Sequence, residues 1–163
     1  MEREQDRLLR DHLRTAIGGH GAHISMSDAL EGFPPERAGE RVDAVPHSAW
    51  DLLYHVHLVL QDLIDWAAGA EYHPHEYPGG YWPSDHAPPD REAWYARIQD
   101  LESALATIRS WVDDDSRDLF APLDRNPAHT LFRQIILAVD HTSYHIGQMV
   151  DLRMLLGIPV RDY

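Results

Sequence analysis

The chain has 163 residues, 44% of them hydrophobic, and this length suits one domain with its own core. It contains no Cys, which excludes disulfides and Cys-ligated zinc and leaves His, Asp and Glu as the strong metal ligands. Its 14 basic residues, all Arg, and 27 acidic residues give a net charge of -13, which disfavours nucleic acid and anionic membranes as partners.

The first predicted helix covers residues 2–17, where apolar side chains recur at helical spacing before Gly18 and Gly19. Its charged start, and the lack of any apolar run long enough for a membrane span, predict a cytoplasmic protein. Residues 18–47 are rich in Gly and Pro, which predicts a long connection with a short helical turn from Ser27. His20 and His23 in this connection are weak candidates for metal ligands.

The second predicted helix covers residues 48–68, because Ser48 and Asp51 have the spacing of a capping box. His55 and His57 lie on opposite flanks of its apolar face. The periodicity therefore does not decide which of the two histidines reaches the interior. The other one is expected to be a surface or boundary residue without chemistry.

A second long loop is predicted for residues 69–90, which contain five Pro and three Gly. Tyr81 and Trp82, together with Tyr77, are expected to fold over the end of the helices and cover the mouth of a pocket. The alternative is that these aromatic residues only cap the core. His73 and His75 are further weak ligand candidates.

Asp90 is a suitable N-cap for a third helix over residues 90–112, and the acidic run that follows, Asp113–Asp115, is interpreted as solvated surface. Asn126 and Pro127 predict the start of a fourth helix over residues 127–156. The pattern contains no strand. It predicts an all-α, mainly antiparallel four-helix bundle with long crossover loops, formed by residues 1–163 as a single domain.

The last predicted helix carries His141 and His145, which are four residues apart and so lie on one face, close enough to bind one metal ion. Such a pair also arises by chance in a chain with 12 His, so a third ligand from elsewhere is needed to identify a metal site. Gln148 lies one turn further on the same stripe. It either hydrogen-bonds a substrate or metal-bound water, or orients a ligand imidazole. Gly147 is expected to let another backbone approach this helix.

Three segments resemble motifs of the DinB/YfiT-like superfamily of metal-binding four-helix bundles: Pro46-His-Ser-Ala-Trp-Asp-Leu-Leu-Tyr-His-Val, Tyr81-Trp82-Pro83 and Asp140-His-Thr-Ser-Tyr-His-Ile-Gly-Gln. The resemblance covers nearly the whole chain. It implies a divalent metal ion, zinc or nickel, bound by His55, His141 and His145. It also implies that His57 stays on the flank of the second helix and does not bind the metal ion. Together with the long apolar helices, the resemblance suggests a homodimer.

Three His ligands leave coordination positions open, which is typical of a catalytic metal rather than a structural one. Some members of the family are transferases or isomerases that use low-molecular-weight thiols such as bacillithiol or mycothiol. The resemblance therefore implies a metal-dependent enzyme that acts on small molecules, such as a thiol S-transferase with a thiol co-substrate. The alternatives are a metal-dependent hydrolase and a non-enzymatic, stress-associated metal-binding bundle.

Overall fold

The structure is a computed structural model that describes residues 3–19, 21–69 and 72–160. This part of the chain is mostly helical, as the sequence predicts. Its α-helices are α1 Arg3–Ile17, α2 Met26–Leu30, α3 Ala49–Ala68, α4 Arg91–Asp113 and α5 Leu131–Leu155. Single 3₁₀ turns lie at Pro35–Arg37 and Gly79–Tyr81, inside the two long connections. No helix within these ranges is both long enough and apolar enough to cross a membrane.

The four long helices share one hydrophobic core. Helix α3 packs against both α4 and α5, helix α1 packs against the same two helices, and the short helix α2 lies on α5. Large side chains that solvent does not reach fill the space between them: Leu52, Leu53, Leu60, Trp94, Leu101, Ile108, Ile135, Met149 and Leu152. Burial of each such side chain contributes about 1.5–3 kcal/mol, which is why α3 and α5, rich in these residues, form the centre of the molecule.

The three predicted helices at 2–17, 48–68 and 90–112 are confirmed to within a residue at each end, apart from residue 2, which lies outside the described ranges. Capping explains this accuracy. The Ser48 hydroxyl accepts a hydrogen bond from the Asp51 amide at 3.1 Å, and the Asp51 carboxylate accepts one from the Ser48 amide at 2.9 Å. The Asp90 carboxylate accepts the Ala93 amide at 2.7 Å. Such bonds form between residues that are close in sequence, so the sequence pattern can predict where these helices begin.

The predicted start of the fourth helix is wrong. Residues Asn126–Thr130 form strand β2, which pairs antiparallel with strand β1 at Pro122–Leu123, so the expectation of a chain without strands is also wrong. The Asn126 side chain accepts the Ala128 amide at 3.0 Å, which makes a turn inside the hairpin instead of a helix cap. Thr130 caps α5 by accepting the Arg133 amide at 3.2 Å.

Two further local expectations need correction. The short helix α2 is capped by Ser25, not by Ser27, because Ser25 and Asp28 form the capping box. Gly147 is exposed on α5, and a Cβ atom added there would meet no described atom within 4 Å. No backbone therefore approaches this helix at Gly147, and the predicted packing role is wrong.

Helix α1 is fixed to the end of α4 by two arginines. The buried guanidinium of Arg10 donates hydrogen bonds to the carbonyl oxygens of Val112, Asp114 and Arg117 at 2.9, 3.1 and 2.7 Å. The Arg14 guanidinium donates to the Asp113 carboxylate at 2.7 Å. The acidic run after α4 is therefore partly a docking site for α1, and not solvated surface alone.

Candidate metal centre

Helix α3 brings His55, and not His57, to the candidate metal centre. His55 is buried on the side of α3 that faces α5, whereas the Nδ1 atom of His57 lies 2.6 Å from the guanidinium of Arg97 on α4. A guanidinium nitrogen only donates, so His57 accepts with Nδ1 and carries its proton on Nε2. The structure thus places the two histidines on different sides of α3.

Helix α5 supplies His141 and His145, one helical turn apart. The Nε2 atom of His141 lies 3.1 Å from Nε2 of His55 and 3.2 Å from Nε2 of His145. The three ligating atoms all lie within 4.8 Å of one another, and no other such group of three His, Asp or Glu residues occurs in the described ranges. The three histidines predicted as ligands therefore converge on one point.

These separations fit a divalent cation. Metal–nitrogen bonds of about 2.0–2.1 Å put two ligand nitrogens about 2.9 Å apart at right angles and about 3.4 Å apart at tetrahedral angles. The observed values of 3.1 and 3.2 Å fall between these limits. The donor set consists of imidazole nitrogens alone, which suits zinc, nickel and related ions better than calcium or magnesium.

The hydrogen bonds of the imidazoles set their protonation. His55 Nδ1 lies 3.0 Å from the carbonyl oxygen of Tyr81, and a carbonyl only accepts, so this nitrogen carries the proton. His145 Nδ1 lies 2.7 Å from Oε1 of Gln148 and is a donor for the same reason. In both residues Nε2 is left as a lone pair that points to the common centre.

The free protein leaves these groups incompletely paired. His141 Nε2 can hold one proton and donate it to one neighbour, which leaves the lone pair of the other neighbour unshared. The Nδ1 atom of His141 is buried and has no hydrogen-bond partner among the described residues. A cation at the centre would use all three Nε2 lone pairs at once. Incomplete pairing of buried polar atoms is uncommon in proteins, and this cluster could hold a metal ion.

Burial keeps the three imidazoles neutral. It is the largest cause that lowers the pKa of His141 to about 3, with repulsion from His145 and His55 adding to it. Burial and repulsion from His55 lower the pKa of His145 to about 4, against an opposing hydrogen bond to Gln148. Burial also lowers the pKa of His55. At neutral pH the cluster is therefore in the form that binds metal ions.

A cavity of about 550 Å³ opens onto the cluster, and all three histidines line it. Tyr77, Tyr81 and Trp82 line it too, as the sequence predicts for a loop over a pocket mouth. Trp82 lies between two imidazoles, with ring centroids 3.9 Å from His55 and 4.0 Å from His47 and nearly parallel planes. The loop residues thus form one wall of the site instead of merely capping the core.

Gln148 lines the same cavity, but its closest contact is to His145. Its carboxamide nitrogen donates to the Tyr144 hydroxyl at 3.3 Å while its oxygen accepts from the imidazole. Of the two roles that the sequence left open, these contacts favour the orientation of a ligand imidazole.

The other candidate histidines lie elsewhere in the structure. His23 bonds to Ile24 and Ser143, the ring of His75 packs edge-on against Tyr81, and neither they nor His73 belong to the cluster. His20 lies outside the described residues.

Among the polar residues that line the cavity, sequence reasoning missed His47, Asp62 and Tyr144. A signal for Asp62 existed, because it follows His55 by seven residues and so lies on the same face of α3. Its carboxylate accepts a hydrogen bond from the Tyr72 hydroxyl at 2.7 Å.

Comparison with known proteins adds no relative. No model of a known protein family matches the chain, and no curated protein matches it either. The resemblance to DinB/YfiT-like proteins remains a prediction carried by the quoted motifs.

Proposed function

We propose that the chain is a divalent-metal-binding protein of the DinB/YfiT-like kind, with His55, His141 and His145 as ligands in a mainly antiparallel four-helix bundle. One observation carries the proposal: the His55 and His145 Nε2 atoms lie 3.1 and 3.2 Å from His141 Nε2, and the Nδ1 hydrogen bonds of His55 and His145 leave their Nε2 lone pairs free. The packing of α3 against α5 brings the ligands together across 86 residues of sequence, which supports the bundle arrangement.

We further propose that the site is catalytic, and that zinc or nickel serves a low-molecular-weight-thiol S-transferase. Support comes from the cavity of about 550 Å³ that reaches all three ligands, because a purely structural ion is usually enclosed by four protein ligands. The chain has no Cys, so the nucleophilic thiol would come from a small-molecule co-substrate. A bound divalent cation lowers the pKa of a thiol or water molecule at its open positions and so makes it a nucleophile near neutral pH.

The residues around the cavity would hold and orient the reactants. The Tyr81 carbonyl and the Gln148 carboxamide keep the Nδ1 protons of His55 and His145 in place, so that each Nε2 stays directed at the centre. Burial, with a further contribution from Asp62, raises the pKa of Tyr81. The Tyr81 hydroxyl therefore stays protonated at neutral pH, and a hydrogen bond to Asp62 contributes to this shift. Trp82, stacked on His55, keeps water from that side of the ligand.

The test combines metal analysis with an activity screen. The purified chain is loaded with zinc or nickel and mixed with mycothiol, bacillithiol or glutathione and the electrophile 1-chloro-2,4-dinitrobenzene, which releases chloride on thiol attack. We expect the loaded protein to accelerate the reaction of at least one thiol. His141→Ala should lose both the metal and the activity.

His57→Ala is the matched control, because His57 also lies on α3 but bonds to Arg97 and not to the cluster. It should keep the metal and the activity. A loaded protein that accelerates none of these reactions would remove the transferase proposal and favour a metal-supported bundle. Equal metal loss in both variants would remove the ligand assignment itself.

A homodimer is also proposed. Helix α5 exposes apolar side chains of Ile136, Met154 and Leu155, with 43, 62 and 52% of their surface accessible. Exposed residues of this kind on one long helix are suited to pairing with a second copy. Light scattering at micromolar concentration should give a mass near twice 18.7 kDa, and a monomer mass would contradict the proposal.

A further inference from the structure

Besides the metal cavity, the structure has a cavity of about 270 Å³ on a different face of α5, which we call the second cavity. It is enclosed by α1, α2, α4 and α5, and its wall shares no residue with that of the metal cavity. Most of the wall is apolar, formed by Ile17, Met26, Leu105, Ile108, Val139 and Ile146. Its polar residues come from three segments of the chain: His23, Ser25, Ser27 and Asp28, Arg109 on α4, and Thr142 and Ser143 on α5.

Ser143 and His23 form a hydrogen-bonded pair in the wall of this cavity. The Nδ1 atom of His23 lies 2.8 Å from the carbonyl oxygen of Ile24, which only accepts, so Nδ1 carries the proton. The Nε2 atom of His23 is then a lone pair, and it lies 3.0 Å from the Ser143 hydroxyl oxygen. The Ser143 hydroxyl therefore donates to an imidazole whose tautomer is fixed by a backbone carbonyl.

This arrangement differs from that of other hydroxyl groups on the helices. Thr15, Ser103 and Thr107 each donate to the carbonyl four residues earlier in their own helix. This is the usual partner for a hydroxyl inside a helix. Ser143 instead bonds to a residue 120 positions away in sequence. Activation of a serine needs its hydroxyl, a basic imidazole nitrogen and a group that orients the imidazole.

A second, independent observation concerns the residue next to Ser143. Thr142 also lines the second cavity, is 8% exposed, and its hydroxyl oxygen is buried without a hydrogen-bond partner among the described residues. An unpaired buried hydroxyl is uncommon and calls for a ligand or a water molecule. Arg109 and Asp28 are the charged residues of the same wall. The Thr142 hydroxyl can donate a hydrogen bond to an oxygen atom bound in the cavity.

We propose that the second cavity is an acyl-transfer site that takes small esters with an apolar acyl chain, with Ser143 as nucleophile and His23 as general base. The size and the apolar wall of the cavity suit a short acyl chain. The His23–Ser143 pair and the unpaired Thr142 hydroxyl supply polar groups to the same wall. The site is independent of the metal proposal, because it uses none of the three metal ligands.

The reaction balances without a cofactor. The Ser143 oxygen attacks the carbonyl carbon of the ester while its proton passes to His23 Nε2. The bond to the leaving alcohol then breaks, and the alcohol takes that proton, which leaves the acyl group on Ser143. Water, deprotonated by His23, attacks the new ester and releases a carboxylic acid and the free serine.

The experiment uses the full chain, treated with a chelator, and p-nitrophenyl butyrate. Peptide mass spectrometry should find one butyryl group, about 70 Da, on Ser143, with release of one p-nitrophenol in a burst. Ser143→Ala should abolish this adduct. His23→Gln should slow acylation about 100-fold or more, because general-base assistance contributes a factor of about 10²–10⁴. Circular dichroism checks that each variant is folded.

Ser103→Ala is the matched control, since Ser103 is a helical serine with an ordinary intrahelical bond, and it should leave acylation of Ser143 unchanged. The assay is run on the chelator-treated chain, without zinc or nickel, so failure of the metal proposal and failure of this one are distinguishable. If Ser143 carries no adduct, or if His23→Gln is acylated as fast as the wild type, the proposal is wrong.

Discussion

At the residue scale, the candidate site depends on how the far side of each imidazole is held. The Tyr81 carbonyl bonds His55 and the neighbouring Trp82 ring stacks on it at 3.9 Å, so two consecutive loop residues fix one ligand. His145 is held from its own helix by Gln148. His141 has no such partner among the described residues and depends on the other two imidazoles. Because each imidazole is held by a different contact, single substitutions can test these contacts one at a time.

Gln148→Ala removes the acceptor from His145 Nδ1, and we expect the affinity for zinc to fall about 10–100-fold while the fold is kept. The physical reason is that the imidazole can then rotate and exchange tautomers, which the hydrogen bond at 2.7 Å prevents. A competition titration with a zinc-sensitive dye measures the change. Tyr144→Phe is the control, because the Tyr144 hydroxyl contacts only the other end of the carboxamide, at 3.3 Å. Full zinc affinity in Gln148→Ala would show that the hydrogen bond does not support the ligand.

At the element scale, the helix ends are where single residues affect stability most. Arg10 is 3% exposed and donates to the carbonyls of Val112 in the last turn of α4, of the C-cap residue Asp114 and of Arg117 in the loop that follows. Carbonyls in the last turn of a helix have no partners within the helix itself. Arg153 has a similar role, with guanidinium donors on the carbonyls of Ala29 and Glu31 that tie α5 to the end of α2. The two buried arginines connect α1 with α4 and α5 with α2, and local sequence patterns do not predict these contacts.

Arg10→Met should lower the free energy of unfolding by about 2–4 kcal/mol, because it leaves buried carbonyl oxygens without donors. Arg7 offers a control in the same helix, since it is exposed and pairs only with Glu4 and Asp11. Exposed ion pairs contribute about 0–1 kcal/mol, so Arg7→Met should have a small effect. Urea unfolding followed by circular dichroism measures both. Equal losses in the two variants would contradict the capping role of Arg10.

Gly147→Ala should raise the free energy of unfolding by about 0.5–1 kcal/mol, since the position is exposed, helical and open to a methyl group. Gly157→Ala should act in the opposite direction. Its φ angle of +68° after α5 is one that side chains other than glycine rarely adopt. Thermal unfolding of the two variants beside the wild type gives both signs, and a destabilised Gly147→Ala would reveal a contact at that surface.

At the scale of the whole molecule, the cluster of three buried histidines makes stability depend on pH. Chain packing holds three neutral imidazoles together, which lowers the pKa of His141 to about 3 and that of His145 to about 4. In the unfolded chain a histidine has a pKa of about 6.5. The sequence alone therefore suggests that protons compete with the metal near pH 6.5, whereas the buried cluster resists protonation until the pH is lower.

The metal-free protein should lose stability as the pH falls from about 6.5 toward 4, because the unfolded chain takes up protons that the folded cluster refuses. The stabilisation is fully present above the unfolded pKa and is lost as the pH falls toward the folded values of about 4 and about 3. Each histidine contributes a slope of at most about 1.4 kcal/mol per pH unit. Urea unfolding at pH 7.5 and 5, with a chelator, measures the loss. His141→Asn should show a smaller loss, and an unchanged slope would contradict the assignment.

The sequence by itself determined those features that depend on near neighbours in the chain. Capping bonds and apolar spacing of three and four residues fixed the first three long helices, and helical geometry alone put His141 and His145 on one face. The local sequence did not identify the residue that caps α5. Asn126 and Thr130 both have suitable side chains, and pairing of the chain with strand β1 decided in favour of Thr130.

Periodicity did not choose between the two histidines of α3; the family resemblance predicted His55, and only the tertiary structure placed it beside His141 and His145. His55 and His57 are equivalent by periodicity, and the choice between them depends on which flank of α3 faces α5 and which faces Arg97 on α4. The Tyr81 carbonyl that orients His55 is a backbone group, which carries no signal in the residue types. Contacts between distant segments depend on how helices rotate and pack against one another, and that is set by the whole core and not by any single stretch of sequence.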